Sequence, residues 1–154
     1  MLRHISRTAA LLGTGLTAGL AGTAVMTGVQ AVEMKVSGRE GSSVPAKAVE
    51  TVLDVEAESE DAEQQLTQLT HWAYGTALGA ARGLISAVGL CPPYADLAFF
   101  GVVWGGALTM LPSLGLAPPP TEWPGKQVAM DAAHHAVYAV AVGAVFEALV
   151  RADD

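Results

Sequence analysis

Long uncharged stretches alternate with short polar ones along this chain. Thr8 to Val32 contains no Asp, Glu, Lys or Arg. About 20 apolar residues in helical form cross a bilayer core, so this stretch predicts a first spanning helix. A second runs from Leu69 to Leu90, interrupted only by Arg82. Pro92-Pro93 is expected to end it, because proline cannot continue a helix. The third, Leu97 to Leu116, is uncharged, and Pro112 is expected to kink it or end its regular part. The fourth, Met130 to Val150, carries Asp131, His134, His135 and Glu147, and its core from Ala132 to Phe146 is the shortest of the four.

Two other readings of the apolar pattern fit less well. A helix buried in a soluble bundle is also apolar all round, but four of them in so short a chain leave too little amphipathic surface to cover them. The first stretch could be a cleaved signal peptide, with Arg3 and Arg7 as its basic region and Val29-Gln30-Ala31 as a small-residue cleavage site. Its apolar run is too long for a typical signal core, and three more apolar runs follow.

The pattern therefore predicts an all-α fold, a four-transmembrane-helix bundle in a single membrane domain over residues 1–154, with spans near 8–32, 69–90, 97–116 and 130–150. The connections differ in kind. Cys91 to Asp96 is a tight turn, which makes the second and third spans antiparallel neighbours. Pro118 to Ala129 is proline-rich. Residues 33–68 form a long, acidic polar loop, in which Pro45 to Asp54 reads as a short helix with Pro near its start. That helix is expected on the membrane surface or folded back on the bundle. Glu56 to Glu63 reads as a solvated acidic run.

A duplication is visible in the same pattern. His71-Trp-Ala-Tyr74 with Gly79 matches His135-Ala-Val-Tyr138 with Gly143. Upstream, Pro45-Ala-Lys47-Ala-Val49 resembles Pro124-Gly-Lys126-Gln-Val128, and Gly22-Thr-Ala-Val-Met26 resembles Gly106-Ala-Leu-Thr-Met110. The matches keep their order. They predict two similar helical hairpins related by a pseudo-twofold axis along the membrane normal, the parallel class of repeat.

Composition supports the membrane reading. Hydrophobic residues make up 51% of the 154 and charged residues 15%, against about 25% charged in a soluble domain. Mean hydropathy is +0.39. The net charge of −7 argues against nucleic-acid binding, which needs a basic surface. Cys91 is the single cysteine, which excludes an intrachain disulfide. Basic residues do not fix the orientation: Arg3, Arg7 and Arg151 fall on one side of a four-span chain, Lys35, Arg39, Lys47 and Lys126 on the other.

Every predicted span carries small residues at four-residue spacing: Gly15 and Gly19; Gly75, Gly79 and Gly83; Gly101 and Gly105; Ala139 and Gly143. Such stripes let helix backbones approach closely, within one chain or between copies. His71 heads the stripe of the second span and His135 that of the fourth, with Asp131 one turn before it. Three uses of these histidines are open. They cap interhelical contacts at the interface, with Trp72, Tyr74 and Tyr138 as belt aromatics. They face each other as a proton-responsive pair. Or they hold a haem or metal ion between facing helices. Arg82 either snorkels toward the Cys91 turn or pairs with Glu147 at similar depth in the fourth span.

Several segments resemble the YagU-like inner-membrane proteins of bacteria and related small actinobacterial membrane proteins. They are the first span ending in Glu33-Met-Lys35, the Gly38-Arg-Glu-Gly-Ser-Ser-Val-Pro45 loop, His71-x-x-Tyr74-Gly75, Gly101-x-x-Trp104-Gly105, and Leu114-Gly-Leu-Ala-Pro-Pro119 followed by His135-x-x-Tyr138. The resemblance implies a multi-pass plasma-membrane protein, with an association with acid tolerance in one member, and it carries over no catalytic residues. No residue cluster forms a catalytic signature, so the expectation is a non-enzymatic protein without a cofactor. Its expected partners are the lipid bilayer and either further copies of itself or a larger membrane complex, and no nucleic acid. The alternatives are a proton- or ion-linked permeation protein using His71, His135, Asp131, Tyr74, Tyr138, Arg82 and Glu147, and a bis-histidine haem or metal carrier.

Overall fold

The computed structural model describes residues 2–153, and the side chains of residues 5–152; the side chain of Arg3, counted above among the terminal basic residues, lies outside them. Among the described residues the chain is all-helical: α1 (Leu2–Ser37), α2 (Val44–Leu53), α3 (Glu60–Ala87), α4 (Tyr94–Ser113), a short 3-10 turn (Pro120–Glu122) and α5 (Gly125–Asp153).

Local chemistry sets the ends of these helices. Ser59 caps α3, its hydroxyl accepting from the Ala62 amide at 3.2 Å. Glu60, Asp61 and Glu63 then sit in the first turn, where the helix dipole favours negative charge. The other end of α3 stops earlier than expected. Gly89 adopts φ +90 and its amide returns to the Ser86 carbonyl at 3.0 Å. A left-handed glycine, not Pro92-Pro93, therefore terminates the second span. Pro112 lies in the last turn of α4, and Gly115, at φ 71, closes that helix. The fourth span, the shortest by its apolar core, is embedded in a helix of 29 residues. The expected polar loop 33–68 is largely helical, since α1 continues to Ser37, α2 forms within it and α3 begins at Glu60.

Three helices are long and apolar enough to cross a membrane: Ile5–Ser37, Tyr94–Ser113 and Gly125–Ala152. Of the four expected spans, three meet the length and apolarity of a crossing helix, and the second, in α3, does not. α3 falls short because His71, Arg82 and its acidic first turn dilute its apolar residues. The three apolar stretches are between 17% and 33% buried within the chain, so most of their surface needs an apolar surrounding.

The long helices run alternately up and down. Gly15 of α1 meets Gly79 and Gly83, Gly19 meets Gly75 and Thr76, and Thr27 reaches His71, so α1 and α3 are antiparallel. Asp96 meets Gly143 while Trp104 meets Asp131, which makes α4 and α5 antiparallel. α5 lies parallel to α3 and also packs on α1, where Gly22 faces Tyr138 and Val142. Ala18, Phe99, Val103, Tyr138, Ala139, Val142 and Phe146 form the core.

α1 pairs with α3 and α4 with α5, but the contacts of the two pairs do not repeat as the sequence pattern predicts. Gly79 abuts the backbone of Gly15 and Gly19, whereas its counterpart Gly143 abuts the Asp96 carboxylate. Tyr74 is 44% exposed and its counterpart Tyr138 only 2%.

Candidate functional site

The largest concentration of charge inside the bundle surrounds Arg82, which is fully buried. α3 carries it about 8 Å from that helix's end by helical rise, too deep for its guanidinium to rest unpaired. The Nε–H donates to Asp96 Oδ1 at 2.9 Å, Nη1 to Ser86 Oγ at 2.7 Å, and Nη2 to Glu147 Oε1 at 2.8 Å. The guanidinium carbon stands 4.6 Å from the centroid of the Phe146 ring, within the range of a cation–π contact. One cation thus ties α3 to α4 and α5. Of the two readings of Arg82, the geometry is that of the pair with Glu147.

Asp96 was not anticipated as a partner. It stands in the first turn of α4 and packs over Gly143, where any side chain would collide with its carboxylate. The glycine spacing around Gly143 pointed to helix-on-helix packing; its structural use is to admit this carboxylate. The available signal was that Asp96 is the only acidic residue at the turn end of the third span, on the side Arg82 approaches.

Two carboxylates around one guanidinium leave a local excess of one negative charge. Arg151 offsets it from outside, 3.8 Å from Glu147 Oε2 and 75% exposed. A groove of about 240 Å³ opens beside the cluster, lined by Arg7, Leu11, Ser86, Cys91, Phe146 and Glu147 among others. It gives Glu147 a route to the end of the bundle where the described termini lie. The cluster therefore holds three helices in register, with the Glu147 carboxylate facing the groove.

The histidines lie toward the other end. His71 Nε2 is 3.0 Å from Thr27 Oγ1 on α1. His135 donates from Nδ1 to the Asp131 carbonyl at 2.8 Å, one turn back on its own helix. The Asp131 carboxylate, 3.6 Å from that nitrogen, accepts the Trp104 indole N–H at 2.8 Å. Among the described residues no hydrogen bond or ring contact joins His71 to His135. Neighbouring His134 is 8% exposed and engages neither of them by a hydrogen bond. Tyr138 donates its hydroxyl to the Gly75 carbonyl at 2.5 Å, a strut between α5 and α3. Among the described residues no group of three or more His, Cys, Asp or Glu side chains is arranged to hold a metal ion.

The glycine stripes divide in the same way. Gly15, Gly19, Gly75, Gly79 and Gly83 all lie in close contact across the α1–α3 seam. Gly101 and Gly105, on α4, have nothing within 4 Å of where a side chain would begin. Compared with protein-family models, curated proteins and solved structures, the chain matches none.

Proposed function

We propose that this chain is an integral membrane protein that crosses the bilayer four times and serves, without catalysis, as a structural or accessory component that packs with further copies of itself or within a larger complex. The observation that carries the reading is the unequal use of the glycine stripes. Those of α1 and α3 are consumed inside the chain, while the Gly101–Gly105 face of α4 stays open. α3 counts as the fourth crossing because it accompanies α1 from Leu11 against Gly83 to Thr27 against His71, about 24 Å along α1 and about 18 Å along α3. A partner held to an apolar helix over that length shares its depth, and its Arg82 is neutralised where it stands. The resemblance noted above supports placing the protein in a bacterial plasma membrane.

Topology mapping tests the crossing number. Four crossings put both termini and Cys91 on one side, so a membrane-impermeant maleimide labels Cys91 from the side where terminal tags are accessible. Termini on opposite faces would reject the fourth crossing. Particle mass in lipid nanodiscs tests the packing role: the expected species is a multimer, and a strictly monomeric protein with no co-purifying partner would reject it.

A second reading, proton- or ion-linked permeation, draws support from the groove that opens on Glu147. Its test is flux into liposomes, which Glu147→Gln should abolish; equal flux in the variant removes this reading.

A further inference from the structure

α2 is the one helix that the bundle does not need in order to cross the membrane. It docks on α3 and buries only Ala46 completely. At 100° per residue, Ala48, Val52, Pro45, Val49, Leu53 and Ala46 occupy one continuous arc, and Lys47, Glu50 and Thr51 the opposite one. Packing on α3 buries Ala46 completely and leaves the end of the apolar arc uncovered. Pro45, Ala48 and Val49 are half-buried, and the C-terminal end of the arc is open: Val52 is 65% exposed, Leu53 62%, and Val55 just beyond the helix 49%.

Three observations say what covers this edge. The first is its level. The uncharged part of α1 ends near Val32, and Glu33, Lys35 and the Glu33–Arg39 ion pair follow it. α2 packs beside the start of α3, which the antiparallel seam places alongside the end of α1, at the boundary between apolar and polar surface. The second is continuity. Val25, Val29, Val32 and Val36 form a shallow apolar groove along the outer side of α1, and Val32 and Val36 are 64% and 84% exposed. The apolar edge of α2 lies at the end of the molecule that this lipid-facing surface reaches. The third is rigidity. Asp54 turns left-handed at φ 53, and the Glu50 carboxylate accepts the Ala57 amide at 2.8 Å. These contacts tie the turn after Leu53 back to α2, so the tip carrying Val52, Leu53 and Val55 is held in place.

We infer that α2 is an interfacial helix whose Val52–Leu53–Val55 edge lies among the headgroups and upper acyl chains of the protein's own bilayer, with the exposed Lys47 and Thr51 toward water. This is the disposition of an amphipathic helix lying in the plane of a membrane surface. The inference rests on the membrane reading above. It adds a lipid contact at the end opposite the Arg82 cluster, positioned so that lipid thickness and packing act on α3 directly.

The experiment uses the full chain with Cys91→Ser and one new cysteine, Val52→Cys, carrying an environment-sensitive fluorophore. The protein is reconstituted in phosphatidylcholine vesicles with or without shallow spin-labelled lipid. Leu20→Cys, on the outer face of α1, and Glu58→Cys, in the acidic run, are the reference positions. The expected result is lipid quenching at position 52 and protection from aqueous iodide about fivefold above position 58. Iodide access at 52 equal to that at 58 would overturn the inference. So would protection without lipid quenching, which means that protein covers the edge. Leu20 lies midway along the uncharged run, so its reference measurement uses lipid spin-labelled deep in the acyl chain, and absence of quenching there marks failure of the membrane reading itself. A probe at Val55→Cys in a Val52→Asp, Leu53→Asp background, with helical content unchanged, should lose its lipid quenching; retained quenching counts against the assigned edge.

Discussion

The hairpin of α1 and α3 and the hairpin of α4 and α5 share a sequence pattern but are held together by different physics. In the first, backbone meets backbone. Gly15, Gly19, Gly75, Gly79 and Gly83 leave no room for a side chain between the helices. Thr23 fills the remaining notch at Gly75, its hydroxyl returned to its own Gly19 carbonyl at 2.8 Å. In the second, side chains do the joining. Asp96 leans over Gly143 toward Arg82, Trp104 donates to Asp131, and Phe99 packs on Tyr138 with ring centroids 5.8 Å apart. Small-residue spacing permits close approach; it does not by itself select the neighbour.

The sharpest way to break this comparison is to add bulk to the backbone seam. A side chain at Gly79 would collide with the Gly15 carbonyl and stand 2.6 Å from the Gly19 Cα. Backbone cannot yield as a flexible side chain can, so Gly79→Val is expected to cost at least about 3 kcal/mol, the upper end for overpacking. The measurement is folded yield and unfolding midpoint in detergent. Near-wild-type values would mean that the seam is not a rigid contact.

Removing Arg82 comes next. Arg82→Leu leaves Asp96 and Glu147 facing each other without their cation, and breaking such a pair costs about 3–5 kcal/mol when it is fully buried. The two carboxylate side chains retain 34% and 22% exposure, which places the expected loss toward the lower figure. Adding Asp96→Asn and Glu147→Gln to Arg82→Leu should recover much of it, because the uncompensated charge is then gone. A triple variant as unstable as the single one would show that the arginine acts through packing against Phe146 instead.

Single hydrogen bonds rank below this. Trp104→Phe removes the indole donor from Asp131, and Tyr138→Phe removes the donor to the Gly75 carbonyl. Each is expected to cost about 1–2 kcal/mol, read from the same unfolding midpoint. The Trp104 change should loosen α4 against α5, seen as faster amide exchange in α4 and not in α1. Uniform exchange across both helices would contradict a two-part bundle.

Much of this architecture was legible in the sequence, for identifiable reasons. The uncharged runs located α1, α4 and α5, because a helix long and apolar enough to cross a bilayer stands out by length and composition. Gly75, Gly79 and Gly83 announced a tight seam, and Pro45 announced the start of α2. The crowded side of Gly143 was not legible, because its neighbour Asp96 lies on another helix and a four-residue spacing names no partner. The separate engagements of His71 and His135 were hidden for a similar reason. Positions that match in the sequence pattern meet different surroundings once α1 stands between α3 and part of α5. Arg82 was half legible: its depth demanded a countercharge and Glu147 matched that depth, but the second carboxylate came from a residue read only as the end of a turn.

The smallest expected effect sharpens the comparison most. Gly105 has open space where a side chain would begin, and alanine is favoured over glycine in a helix by about 1 kcal/mol. Gly105→Ala should therefore leave the monomer's unfolding midpoint unchanged or slightly raised. If α4 packs against a second copy through its open face, the same methyl group holds the two backbones apart and weakens that association. Gly28 on α1 is equally open and lies within the valine groove, away from α4. Gly28→Ala thus supplies the reference, with the same helix-propensity gain and no effect on association. The measurement is dimer fraction against protein-to-lipid ratio in vesicles. A lower dimer fraction for Gly105→Ala alone assigns the open stripe of α4 to contacts between chains, as the closed stripe of α1 and α3 serves contacts within one. Equal fractions for both variants would mean that lipid covers the α4 face.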